Sequence, residues 1–164
     1  MPSPRASAAP HLAKRTGSTF AMSQPFVTTL TADHRRCDQL FVQVETAAQS
    51  ADWTLAASAV EAFCNATDRH FQFEEDMLFP PLEEVMPGAT GPTAVMRQEH
   101  QLIRQLMGDL RAAVDAQDGD ESLGVISTLH MVLQQHNIKE EGVLYPAADR
   151  DLADQAERLL ASLA

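Results

Sequence analysis

The sequence predicts an all-α fold: an antiparallel up-down-up-down four-helix bundle with a short C-terminal fifth helix. Three observations predict it. The chain is 45% hydrophobic but only 5% aromatic, and its apolar residues are mainly Ala, Leu, Val and Met, a mix that favours helices over sheets. From Val27 onward, apolar residues recur at three- and four-residue spacing over long segments, the period of one helix face. The second half of this region also repeats the first at an offset of 66 residues, so two similar helix hairpins stand in tandem.

Residues 1–24 are rich in Ala, Ser, Pro and basic residues and read as a disordered tail. A transit peptide shares that composition, and Met22 is a second candidate start. Residues 25–164 read as one domain. In the first helix, Val27, Leu30, His34, Cys37, Phe41, Val44 and Ala48 share a face, and a break follows near Ser50-Ala51-Asp52. The second helix runs from about Trp53 to Phe79, with Val60, Phe63, Thr67, His70, Glu74 and Met77 inward, and Pro80-Pro81 is expected to end it. Two Gly and two Pro between Val85 and Pro92 mark a loop. The third helix spans about Pro92 to Gln117, with Met96, His100, Ile103, Met107, Leu110 and Val114 on one face. After the turn Asp118-Gly119-Asp120, the fourth spans about Glu121 to Leu144. Val125, Leu129, either Val132 or Leu133, His136 and Glu140 face in, and Pro146 is expected to end it. The fifth covers about Asp151 to Leu163. Short loops between long helices make neighbours antiparallel.

The net charge is −11, and it is unevenly spread. The first 32 residues hold Arg5, Lys14 and Arg15 and no acid, so the remainder carries nine basic and 23 acidic residues. An acidic body argues against nucleic-acid and anionic-membrane partners. No run of 18 apolar residues exists to span a membrane. Cys37 and Cys64 form no CxxC pair and read as reduced thiols, which together with the missing signal sequence points to the cytoplasm.

The repeat carries the chemistry. His34 falls on His100, and His70-Phe-Gln-Phe-Glu74-Glu75 falls on His136-Asn-Ile-Lys-Glu140-Glu141; the shared pattern is H-x3-E-E-x2-L-[F/Y]-P. Residues four apart stack on one helix face, so His70 points with Glu74 and His136 with Glu140. Each pair continues an apolar stripe, and so do His34 and His100. A lone helical His on such a face is ordinarily a hydrogen-bonded core residue. Four His and two Glu in a duplicated pattern are different, because burying them unpartnered costs several kcal/mol per ionic group. A metal removes that cost. Two metals fit better than one, since two carboxylates among four His suit bridging. Nitrogen and carboxylate donors without Cys fit iron, manganese or zinc. There is no HExxH motif, no Glu-x-x-His, no phosphate loop and no credible Ser–His–Asp set.

At these residues, over about Val27 to Pro146, the sequence resembles the hemerythrin HHE cation-binding family. The resemblance implies two iron ions with an oxo or hydroxo bridge. The ligands would be His34, His70, Glu74, His100, His136 and Glu140. Oxygen-carrying hemerythrins place a further His four residues after the third-helix one; here that position is Arg104. The four-His, two-Glu set looks more like the iron–sulfur cluster repair di-iron proteins and related single-domain members. The repair proteins also carry a small Cys-containing N-terminal domain, and residues 1–24 contain no Cys.

The resemblance implies a centre that binds or reacts with O2, NO or peroxide, in sensing, detoxification or stress response. If the chain is an enzyme, it is a di-iron oxidoreductase turning over peroxide or NO. Iron storage or delivery, cluster repair and reversible O2 carriage are the alternatives. The expected partner is a small diatomic or peroxide ligand, with no nucleic acid and no membrane. Other polar residues take quieter expectations. Cys37 and Cys64 read as packing, with a redox role close to the metal as the sharper reading for Cys37; His130 reads as surface or hydrogen-bonded core, His11 as a tail residue, and Tyr145 and Phe79 as packing at the bundle end. Asp33 and Glu99, which precede equivalent histidines, read as a solvated face, with orientation of a ligand as the sharper alternative.

Overall fold

The computed structural model describes residues 23–163; the expected tail, apart from its last two residues, lies outside them. Four long helices form the body: α1 (Pro25–Gln49), α2 (Trp53–Phe73), α4 (Thr90–Asp115) and α5 (Gly119–Lys139). Between them, α3 (Phe79–Val85) follows α2, and α6 (Tyr145–Asp151) and α7 (Ala156–Leu160) close the chain. The long helices pack in a ring, α1 on α2, α2 on α4, α4 on α5 and α5 back on α1. This is the expected up-down-up-down bundle. The inward faces are largely those the spacing predicts. Leu30, His34, Phe41 and Val44 are buried on α1, and all six expected residues are buried on α4. On α5 the inward residue is Leu133 rather than Val132.

The 66-residue repeat extends to the turns. Asp52 and Asp118 cap α2 and α5, their carboxylates accepting from the N–H of Leu55 and Glu121. The residue before each cap, Ala51 or Gln117, is left-handed at φ 53° or 57°. In the break before α4, Gly88 takes a φ of +86°, which glycine adopts without strain.

Two expectations about helix ends are corrected. Pro80-Pro81 and Pro146 do not stop their helices. A π turn, Glu74–Leu78 or Glu140–Leu144, follows α2 and α5 respectively, and the chain runs on as α3 or α6. In each π turn an N–H five residues on, that of Phe79 or Tyr145, donates to the carbonyl of Glu74 or Glu140. The wide turn puts each proline at the start of a new helix, where its missing N–H is not needed. The turn also explains why Glu74, Leu78 and Phe79 are all buried, as are Glu140, Leu144 and Tyr145. The extra residue brings two consecutive side chains inward. The fifth helix, expected over Asp151 to Leu163, is α6 plus a 3₁₀ turn at Ala153–Gln155 and α7.

Two apolar clusters fill the bundle. One holds Phe41, Phe63, Ile103, Met107 and Leu129; the other, at the end covered by α3, α6 and α7, holds Phe26, Leu30, Phe79, Leu82 and Leu152. The polar repeat residues lie between them. Asp149 of α6 fixes the covered end, because its buried carboxylate accepts from the N–H of Phe26 at 2.8 Å and of Val27 at 3.1 Å. It caps the N-terminus of α1 from another element, where α1 has no side-chain cap of its own. Asp149→Ala is expected to lower unfolding free energy by about 1–2 kcal/mol, the worth of a lost cap, as read from urea denaturation. No change would show that the cap contributes nothing.

Candidate metal centre

The structure brings His34, His70, Glu74, His100, His136 and Glu140 together in one buried layer, none more than 4% exposed. The side chains form two overlapping groups, His34 and His70 with Glu140, and His100 and His136 with Glu74 and Glu140. Each carboxylate reaches both histidine pairs. Glu74 Oε1 lies 3.5 Å from His70 Nε2, while its Oε2 lies 3.3 Å from His100 Nε2. Glu140 Oε2 lies 3.3 Å from His34 Nε2, and its Oε1 lies 3.0 Å from His136 Nε2.

Every imidazole is held from behind by a carboxylate on Nδ1. Asp33 holds His70 at 2.8 Å and, 66 residues on, Glu99 holds His136 at 2.9 Å. Glu75 holds His100 at 2.7 Å and its repeat mate Glu141 holds His34 at 2.8 Å. The second Glu of each Glu-Glu pair thus reaches across to the other hairpin. With Nδ1–H donated outward, each Nε2 lone pair faces the centre. Asp33 and Glu99 are therefore not a solvated face: they fix ring orientation and tautomer. Tyr145 is also more than packing, since its hydroxyl donates to Glu74 Oε1 at 2.7 Å, inside the polar layer. The signals were present in the sequence. The second Glu recurs at the repeat, and Tyr145 is the chain's one tyrosine at an inward repeat position.

Donor chemistry and orphaned atoms fit a metal. Among the described residues, Glu74 Oε2 and Glu140 Oε1 have no hydrogen-bond partner, and both are buried. His100 Nε2 and His136 Nε2 stand 3.2 Å apart, two lone pairs that repel unless a proton or a cation lies among them. Without a metal, protons fill that role. Burial opposes the charged form of His100, but the Glu140 and Glu74 carboxylates beside its Nε2 outweigh it and lift the group to about 9. His70 is raised well above its ordinary value, against burial, by Glu74 and Asp33, and His136 is raised by Glu140. The same contacts override burial to hold Glu140 well below the usual carboxylate range.

The other singled-out residues lie outside this layer or at its edge. Cys37 is half-buried, and burial pushes its thiol up; Cys64 is buried and pushed up to about 11. Both are therefore poor thiolates. His130 is exposed against the Phe41 ring. Arg104 points away from the centre, with Nη1 on Glu75 at 2.9 Å and Nε on Asp68 at 2.7 Å.

The raised histidines give a signed expectation for the metal-free protein. The stability from His100 is complete below about 6.5 and lost as pH rises through about 9. The depressed Glu140 contributes fully above 4.5, so it adds no slope in that window. The melting temperature of chelator-treated protein should therefore fall between these pH values, with no matching fall when metal replaces the protons. A flat profile without metal would contradict the proton-filled layer.

A hemerythrin HHE cation-binding domain matches residues 26–148, which contain all six converging side chains. No curated protein and no solved structure matches the chain. Among the described residues, no helix is long and apolar enough to cross a membrane. With most of its length matched and the family's His and Glu pattern gathered in one buried layer, the chain belongs to the hemerythrin HHE cation-binding family.

Proposed function

We propose that this chain holds two iron ions, one between His34 and His70 and one between His100 and His136, bridged by Glu74 and Glu140, and that the centre binds or reacts with O2, NO or peroxide. One observation carries the reading: each carboxylate presents one oxygen to each histidine pair, the arrangement that bridging requires. Nitrogen and carboxylate donors also admit manganese or zinc. Adjacent iron ions supply a two-electron couple and a seat for a small ligand. The chain's residues orient the imidazoles, exclude bulk water and limit access.

Ligand size follows from space. A cavity of about 10 Å³ reaches His34 and His70 between Cys37, Thr67, Leu133 and Asn137, room for one water-sized molecule. That fits a diatomic or a peroxide better than an organic substrate. Full burial of the six side chains argues against ready release of iron in storage or delivery. Reversible O2 carriage is disfavoured because the fifth His position is Arg104, tied outward to Asp68 and Glu75.

Two measurements test the reading. Metal should stabilise the fold by mass action, about 2.7 kcal/mol at a free concentration a hundredfold above Kd. Glu74→Ala should lose that increment and the exposed His130→Ala should keep it; equal effects would count against a shared buried site. Purified protein should contain two iron per chain, and its anaerobic reduced form should go to the oxidised form on mixing with O2 without a long-lived adduct. A stable oxygenated form that releases O2 under vacuum would restore the carrier reading, with Arg104→His as the informative control.

A further inference from the structure

The surroundings of the Tyr145 hydroxyl are more than hydrogen bonding explains. Its oxygen lies 3.0 Å from His34 Nε2, 3.2 Å from His70 Nε2, 2.7 Å from Glu74 Oε1 and 3.1 Å from Glu140 Oε2. With both Nδ1 atoms donating to Glu141 and Asp33, the two Nε2 atoms become acceptors once a metal displaces their protons, and all four neighbours then present lone pairs to the phenol. One phenol proton serves one acceptor. The remaining lone pairs crowd the phenol oxygen in a fully buried site, at the cost of unpaired buried polar groups. A single cation among these five atoms satisfies them all. The spacing also fits, because neighbouring donors in an octahedron with bonds of about 2.1 Å stand about 3.0 Å apart.

The repeat shows that this oxygen belongs to one half only. The equivalent of Tyr145 is Phe79, whose ring lies over His100 with centroids 6.0 Å apart. Phe71 stacks on the same imidazole at 3.9 Å, and its own repeat mate is Asn137. Two aromatic rings therefore flank His100, while the His34 and His70 pair meets a phenol oxygen.

We propose that the Tyr145 oxygen is a ligand of the metal ion held between His34 and His70, so that the two metal positions are chemically unlike. This rests on the two-metal reading above. Coordination replaces the phenol O–H bond with an oxygen–metal bond, and the proton leaves to solvent. Without metal, burial and the two carboxylates keep Tyr145 protonated; a cation beside the oxygen reverses that preference. One position then receives two imidazole nitrogens, two carboxylate oxygens and a phenolate. The other receives two nitrogens and two carboxylate oxygens.

Tyr145 is the only tyrosine in the chain, so any tyrosinate signal has one source. The test loads wild-type protein and Tyr145→Phe with iron or with zinc and counts metal per chain. Iron-loaded wild type should show a phenolate-to-iron(III) charge-transfer band with resonance-enhanced tyrosinate vibrations. Zinc-loaded wild type should show the near-ultraviolet difference of an ionised phenol. Tyr145→Phe should fold, since Phe79 fills the equivalent place in the other half. It should lack both signals and lose one of its two ions to a chelator roughly tenfold faster. Wild type that binds two metals without a tyrosinate signal overturns the ligand role and leaves the two-metal reading standing. A band that survives Tyr145→Phe also overturns it. Protein that binds no metal overturns both.

Discussion

The interaction on which the rest of the structure depends is the hydrogen bond from each imidazole Nδ1 to a carboxylate. Four such bonds, at 2.7–2.9 Å, aim four Nε2 atoms into one buried layer of the bundle. Two fully buried carboxylates meet them there. An arrangement so rich in lone pairs is unstable in a dry interior unless positive charge enters it. Protons can supply that charge and metal ions supply it better, so folding and metal binding are coupled through one layer. The two apolar clusters on either side keep water from relaxing that demand.

The backbone serves the same layer. Each π turn begins at the inward carboxylate and ends just before the next inward aromatic residue, Phe79 or Tyr145. An uninterrupted α-helix would turn that aromatic side chain about 100° away from the core. The extra residue thus lets one segment deliver an inward carboxylate and a ring that closes the layer. Repetition makes the solution economical, but the halves are not chemically equal. Thr67 answers to Leu133, Cys37 to Ile103 and Asn137 to Phe71, so the His34 and His70 pair has the more polar surroundings and the adjoining cavity.

The helices and the six converging side chains were legible because periodicity and the 66-residue repeat report directly on which residues face inward. The continuation past Pro80 and Pro146 was not, because a proline rule assumes a regular α-helix ahead of it and no sequence signal announces a π turn. The roles of Asp33, Glu75, Glu99 and Glu141 were only half legible. A carboxylate beside a ligand position looks the same whether it faces water or a neighbouring helix. Only the packing of α1 against α2 and of α4 against α5 decides that Asp33 meets His70 and Glu99 meets His136. The packing of Tyr145 was legible and the role of its hydroxyl was not, because the repeat treats Phe and Tyr as one class, and the difference between them is a single oxygen.

The outer carboxylates divide in a way that bears on how the histidines donate. A carboxylate on Nδ1 strengthens the imidazole as a ligand, and a cation on that carboxylate tempers the effect. Arg36 sits on Asp33, Arg104 on Glu75 and Lys139 on Glu99. Among the described residues, Glu141 has no such cation and is the most exposed of the four. The hydrogen bond behind His34 is therefore the one left untempered, on the same side as Tyr145 and the cavity. Arg104 belongs to this outer system rather than to the centre. At the position where an oxygen carrier would add a fifth histidine, this chain places a cation that grips Glu75, and Glu75 in turn sets His100. The chain thereby controls how an existing imidazole is held instead of adding a fifth histidine beside His100.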